Sequence, residues 1–172
     1  MIDGVELREL TAHGDARGFF VETWRKEWFP DGFTPVQGNR ANRGANSVTG
    51  LHYHLHQADW WYFVQGRARF VLYDLREGSA TKGELLSRDV DASGGEHVGI
   101  YVPPGVAHGF SAISDITLTY LVDQYYNTAD ENGLAWDDPA LGIDWGVTDA
   151  IVTQRDSTNP RLADLPPIHP SR

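Results

Sequence analysis

The stretch "SVTGLHYHLHQADWWYFVQG" (Ser47–Gly66) carries histidines at every second position: His52, His54 and His56. Alternate side chains of a β-strand share a face, so this spacing aims three imidazoles into one cavity. Such a set offers three chemistries. It can supply nitrogen ligands to a metal, it can form a general base with its neighbours, or it can be a polar strand face turned to water.

The rest of the chain must supply the frame that positions these rings. At 172 residues, with 41% hydrophobic and 22% charged residues, the sequence fits one globular domain with a real core. Cysteine is absent, which excludes disulfides and thiolate metal sites and fits a cytoplasmic setting. No apolar run reaches the roughly 18 residues of a membrane span, and Met1 opens no basic-then-apolar leader. A net charge of −10 argues against nucleic acid as partner, although a few local arginines could hold a small anion. The 6 Trp, 7 Tyr and 7 Phe pack a core and also suit stacking on a sugar or base.

Aromatic and β-branched runs predict strands near Phe19–Thr23, Gly50–His54, Trp60–Gln65, Ala68–Leu75, Val98–Val102, Gly109–Ile113 and Ile116–Tyr126. Gly66, Glu77-Gly78, Ser93-Gly94-Gly95 and Pro103-Pro104-Gly105 punctuate them. Helical signal is confined to one turn at Trp24–Trp28 and a short helix near Thr148–Gln154. Many short strands with this spacing read as an all-β sandwich or barrel. Residues 163–172 form a Pro-rich C-terminal tail to the single domain.

From His52 the order is histidine, one residue, histidine, four residues, Asp59, six residues, Gly66, and "PPGVAHGF" later supplies His108. This resembles the paired motifs of the cupins, with Asp in place of the usual Glu. On that resemblance His52, His54, Asp59 and His108 would hold a divalent first-row metal. A wider resemblance runs through "HGDARGFFVET", "PVQGNRANRGANSVTGLHYH", "VLYDLREGSATKGE", "IYVPPGVAHGFSAISD", "TYLVDQYYN", "NGLAWDDPALGIDW" and "VTQRD". In this order the segments are similar to the dTDP-4-dehydrorhamnose 3,5-epimerase family, a cupin-like jelly roll, and they cover most of the chain.

That resemblance implies a nucleotide-linked 4-keto-6-deoxyhexose substrate, epimerised at C3, C5 or both without a cofactor. Protons beside the ketone are acidified by it, and a neutral histidine can remove one near neutral pH. The resemblance makes His52 the base, Asp156 of "VTQRD" its carboxylate partner, and Tyr120 of "LTYLVDQYY" the acid on the other face of the sugar. It makes Arg17 a pyrophosphate ligand. Phe19 and Glu22 would reach the nucleoside, crossing to the neighbouring subunit of a homodimer. Gln37, Asn39 and His108 would line the site, and Tyr125 would stack on the base. His54 and Asp59 complete the substrate-binding set, with His56 at the rim.

Three positions depart from the family pattern. Thr49 stands where an arginine precedes "GLH", Asp59 where a lysine begins the next strand, and Phe70 where an aspartate follows. Positive charge beside a developing enolate is a strong catalytic term, and Asp59 reverses it. The same substitution completes the cupin ligand set. Two alternatives to the metal-free epimerase therefore stand: a metal-dependent cupin enzyme, and a non-catalytic nucleotide-sugar binder.

Overall fold

The computed structural model describes residues 1–29 and 33–171 of the chain. Two five-stranded antiparallel sheets face each other. The first has the order β1 (Glu6–Glu9), β9 (Val98–Val102), β6 (Asp59–Gln65), β11 (Ile116–Val122), β4 (Gln37–Arg43). The second has the order β12 (Asn132–Gly133), β5 (Val48–Tyr53), β10 (Val106–Ala112), β7 (Arg67–Asp74), β8 (Leu85–Asp91). A separate hairpin pairs β2 (Ala12–Asp15) with β3 (Gly18–Val21). This is the all-β sandwich expected from the strand pattern, in the jelly-roll form that the family resemblance implies.

Strand alternation builds the layers. In β7, Phe70 and Leu72 turn into the space between the sheets, packing with Phe63, Ile100, Phe110 and Leu118. Val71 turns the other way, under a C-terminal cover that includes Leu134, Trp145 and Ile168. Both faces of β7 are therefore dry over residues 70–72, which is why "FVL" reads as a continuous apolar run. In β6, Trp60 points outward to Phe29 and Phe33, while Trp61 and Phe63 point inward. Phe70, the departure from the family's aspartate, is a fully buried core residue.

Several expectations are corrected. No helix forms near Thr148–Gln154: the chain bends at Thr148 and Asp149, and Ile151 bridges Ser47 in parallel, a pairing that overrides a weak local helix signal. The turn at Trp24–Trp28 is a single 3-10 turn over Lys26–Trp28. Strand β5 ends at Tyr53, so alternation stops there and His52, His54 and His56 do not share one strand face. The strand expected to run to Tyr126 ends at Val122. The Pro-rich tail is anchored where Ile168, buried, bridges Arg76; its last residue, 172, lies outside the described residues. Among the described residues no helix is long and apolar enough to cross a membrane.

Candidate active site

One end of the space between the sheets opens as a cavity of about 430 Å³. Strand periodicity explains its lining. On β4, Gln37, Asn39, Ala41 and Arg43 face it at every second residue; on β11, Leu118, Tyr120 and Val122; on β6, Asp59 and Trp61; on β10, His108 and Phe110. The wall from β5 breaks this rule, because Thr49 and His52 both face the cavity three residues apart. The register explains it: His52 pairs with His108 and Thr49 with Phe110, so β5 bulges by one residue at Gly50–Leu51. Gly50 has a φ of 104°, and a Cβ there would lie 2.7 Å from the His108 carbonyl oxygen. Across the seam, a Cβ on Gly109 would lie 2.6 Å from the Thr49 carbonyl oxygen. The two strands can approach this closely because both positions are glycine.

The bulge aims His52. Its Nε2 donates to Asp156 Oδ1 at 2.7 Å, and only Nε2–H can serve a carboxylate acceptor. That hydrogen bond fixes the tautomer and leaves Nδ1 bare on the other side, where Glu131 Oε1 stands 3.7 Å away. Asp156 is itself tied down: its Oδ2 accepts the Gly50 N–H at 3.1 Å, and its own N–H donates to Thr153 Oγ1 at 3.1 Å. Burial alone would raise the Asp156 pKa. The hydrogen bond and charge of His52, with the Gly50 N–H, outweigh burial and hold the carboxyl below the usual range. Glu131 is in turn paired with Arg155 at 3.1 Å.

Tyr120 enters from the opposite sheet. Burial, then the carboxylates of Asp59 and Glu131, push its phenol above the ordinary tyrosine value, with Arg43 pulling the other way. It therefore holds its proton firmly while remaining able to donate it.

His54, Asp59 and His108 form a second group in the same cavity, all three buried, with their donor atoms within 4.8 Å of one another. His54 is placed by Asp130, whose carboxylate receives the N–H groups of Leu55 (2.7 Å) and His56 (3.1 Å) where the chain leaves β5. Burial pushes His108 down to about 4, against the pull of Asp59, so its ring is neutral at working pH. His52 does not join this group. The four residues expected as ligands therefore do not all come together, because the bond to Asp156 holds the His52 imidazole elsewhere.

The remaining candidates divide. Gln37 and Asn39 line the cavity, and the Gln37 amide donates to Asn39 Oδ1 at 2.9 Å. Arg17 lies at the turn of the exposed hairpin, where its guanidinium pairs with Asp15. Phe19 is 66% exposed beside His97, and Glu22 pairs with Arg25, so neither reaches this chain's own cavity. Tyr125 is exposed and its neighbour Tyr126 lines the opening instead. Glu131, Arg155, Arg43 and Trp61 are additional lining residues. Arg43 could have been found by extending the alternation of Gln37 and Asn39, and Glu131 by its place just before "NGLAWDDP". Arg43 also reaches Thr49, its Nε lying 3.4 Å from the hydroxyl.

The family model described as dTDP-4-dehydrorhamnose 3,5-epimerase matches residues 1–164. The spore coat polysaccharide biosynthesis protein SpsL of Bacillus subtilis is 38% identical over 153 residues, covering 86% of this chain and 98% of its own. The dTDP-4-dehydrorhamnose 3,5-epimerase of Sinorhizobium fredii is 35% identical over 94% of this chain and 87% of its own. Among solved structures, the RmlC enzyme of Legionella pneumophila, in complex with dTDP-4-keto-L-rhamnose, superposes with a TM-score of 0.87 at 27% identity. It covers 96% of this chain and 91% of its own.

Proposed function

Because the chain belongs to the dTDP-4-dehydrorhamnose 3,5-epimerase family, we propose that it epimerises a dTDP-linked 4-keto-6-deoxyhexose at C3, C5 or both, with His52 as base and Tyr120 as acid. The observation that carries this reading is the His52–Asp156 pair, 2.7 Å long, with the second imidazole nitrogen left free beside the cavity.

The steps follow from the groups present. His52 Nδ1 takes the proton from the carbon beside the ketone, and the C–H electron pair moves into the enolate. Asp156 and Glu131 stabilise the imidazolium that forms, one at each nitrogen. Tyr120, on the opposing sheet, returns a proton to the other face of the carbon, which inverts it. Its raised pKa keeps the phenol protonated until the enolate needs it. Each proton step is served by a side chain of the protein itself.

The substrate-end residues support a second copy of the chain as partner. Arg17 and Phe19 lie on the hairpin, away from their own cavity and open to solvent. A two-stranded hairpin is marginal alone; docked on a neighbouring subunit, it would bring a guanidinium and an aromatic ring to the nucleotide. The homodimer is part of the proposal.

The test is deuterium uptake from heavy water into dTDP-4-keto-6-deoxyglucose, followed at C3 and C5 by NMR with the protein as purified. Exchange at either carbon that disappears in His52→Asn is the expected result. Exchange that survives the substitution would overturn the assignment of the base.

A further inference from the structure

We propose that His54, Asp59 and His108 form a three-ligand site for a divalent first-row transition metal, separate from the His52–Asp156 pair. The tautomers carry the argument. His54 Nδ1 lies 2.9 Å from the Asp130 carbonyl oxygen, and His108 Nδ1 lies 3.0 Å from the Val106 carbonyl oxygen. A carbonyl can only accept, so both Nδ1 atoms carry the hydrogen and both Nε2 lone pairs are free. This is the arrangement of metal-binding histidines, whose second nitrogen is anchored by an outer acceptor.

The carboxylate is prepared in the same way. Gln57 Nε2 donates to Asp59 Oδ1 at 2.8 Å and Trp61 Nε1 donates to Oδ2 at 3.1 Å, which fixes the group's orientation. Asp59 Oδ2 lies 3.9 Å from His108 Nε2. Metal–nitrogen and metal–oxygen bonds near 2.1 Å hold ligand atoms at most about 4.2 Å apart. Donors within 4.8 Å of one another therefore close around an ion with sub-ångström adjustments.

Charge points the same way. Arg155 is paired with Glu131 and Arg43 is turned to Thr49. Among the described residues no Lys or Arg is ion-paired with Asp59, which is 3% exposed. A buried carboxylate is normally paired or bound to a metal, and here the Gln57 amide, the Trp61 indole and two imidazoles surround it. Two imidazoles and one carboxylate are the ligand set of open divalent sites, with the remaining positions facing the cavity for water or an oxygen of a bound molecule.

The inference does not depend on the epimerase reading, because occupancy is measured without substrate. Untagged protein, stripped with EDTA and dialysed, is titrated with Co²⁺ while visible d–d absorption and calorimetric heat are recorded. The expected result is saturation at roughly one ion per chain, displaced by Zn²⁺. Asp59→Asn and His54→Gln, checked for folding by circular dichroism, should each weaken uptake more than about 100-fold, beyond the cost of losing an outer partner. His52→Asn should leave uptake unchanged. No saturable uptake at millimolar Co²⁺ would overturn the proposal. So would uptake indifferent to Asp59→Asn and His54→Gln, which would place the ion on other histidines. Loss in His52→Asn equal to that in Asp59→Asn would overturn the three-ligand assignment in favour of four.

Discussion

Asp59 and Asp74 are both nearly inaccessible to water, yet their surroundings are opposite. Asp74, at the end of β7, receives the Arg76 guanidinium through Nε and Nη2 (2.8 Å each), Ser79 Oγ at 2.6 Å and Thr81 Oγ1 at 2.7 Å. Burial would raise its pKa, but the bonds from Arg76, Ser79 and Thr81 overwhelm burial and hold it far below the ordinary aspartate value. Asp59, at the start of β6, has two neutral donors and, among the described residues, no guanidinium. The first carboxylate is consumed by structure: its lone pairs are filled and its charge is neutralised. The second is oriented but electrically open, which suits a group that meets a ligand. Buried charge alone does not mark function in this fold; the difference lies in whether the fold has already answered it.

Substitutions can break or sharpen this contrast. The largest effect is expected for Asp74→Asn, which strands Arg76 and should cost about 3–5 kcal/mol in urea-unfolding stability. Next comes Asp156, a carboxylate whose bonds are filled by Gly50 and by His52, the proposed base. Asp156→Asn should lower the deuterium exchange rate by on the order of a hundredfold or more, because the His52 tautomer is no longer dictated. A urea midpoint measured alongside separates this loss from unfolding.

A third effect is the pH dependence of stability. Asp74 and Asp156 have folded pKa values below their unfolded ones. Their contribution is therefore present above the unfolded aspartate pKa of about 3.9 and is lost as pH falls through that value toward the lower folded ones. Unfolding midpoints should drop on acidification below about pH 4–5, and Asp74→Asn should flatten the slope. An unchanged slope would contradict the network described around Asp74. The smallest effect is expected for Asp59→Asn in metal-free protein. Changing a carboxyl that, among the described residues, no Lys or Arg pairs should shift stability by about 1 kcal/mol or less. A loss as large as that of Asp74→Asn would erase the contrast.

The sequence was most legible where strand faces are apolar. "RFVLY", "DWWYFVQ" and "ITLTYLV" sit in strands near their expected places because burial imposes the pattern. Strand β4 escaped notice because its inward residues, Gln37, Asn39 and Arg43, face a polar cavity instead of the core. The edge strand β8 (Leu85–Asp91) escaped because half of its positions are exposed and charged. Of the candidate site, His52, Asp156, Tyr120, His54, Asp59 and His108 were all named, the His52–Asp156 pairing and Tyr120 through family resemblance. What the sequence could not convey was that they divide into two groups. That division depends on the bulge in β5 and on a contact between residues 104 positions apart. Arg17, Phe19 and Tyr125, binding groups by resemblance, stand outside the cavity within one chain.

The glycine seam between β5 and β10 has a consequence for how such a pocket can change over generations. Any side chain at Gly50 or Gly109 would collide with the backbone opposite, at 2.7 and 2.6 Å respectively, so neither position can drift without displacing the strand that carries His52. Variation is channelled to the other walls, where β4, β6 and β11 present side chains to the same space. A lineage can thus exchange side chains there, as at Thr49's partner Arg43 and at Asp59, while inheriting His52 almost untouched. Selection for a new specificity has many doors into this cavity, and the one beside His52 is shut.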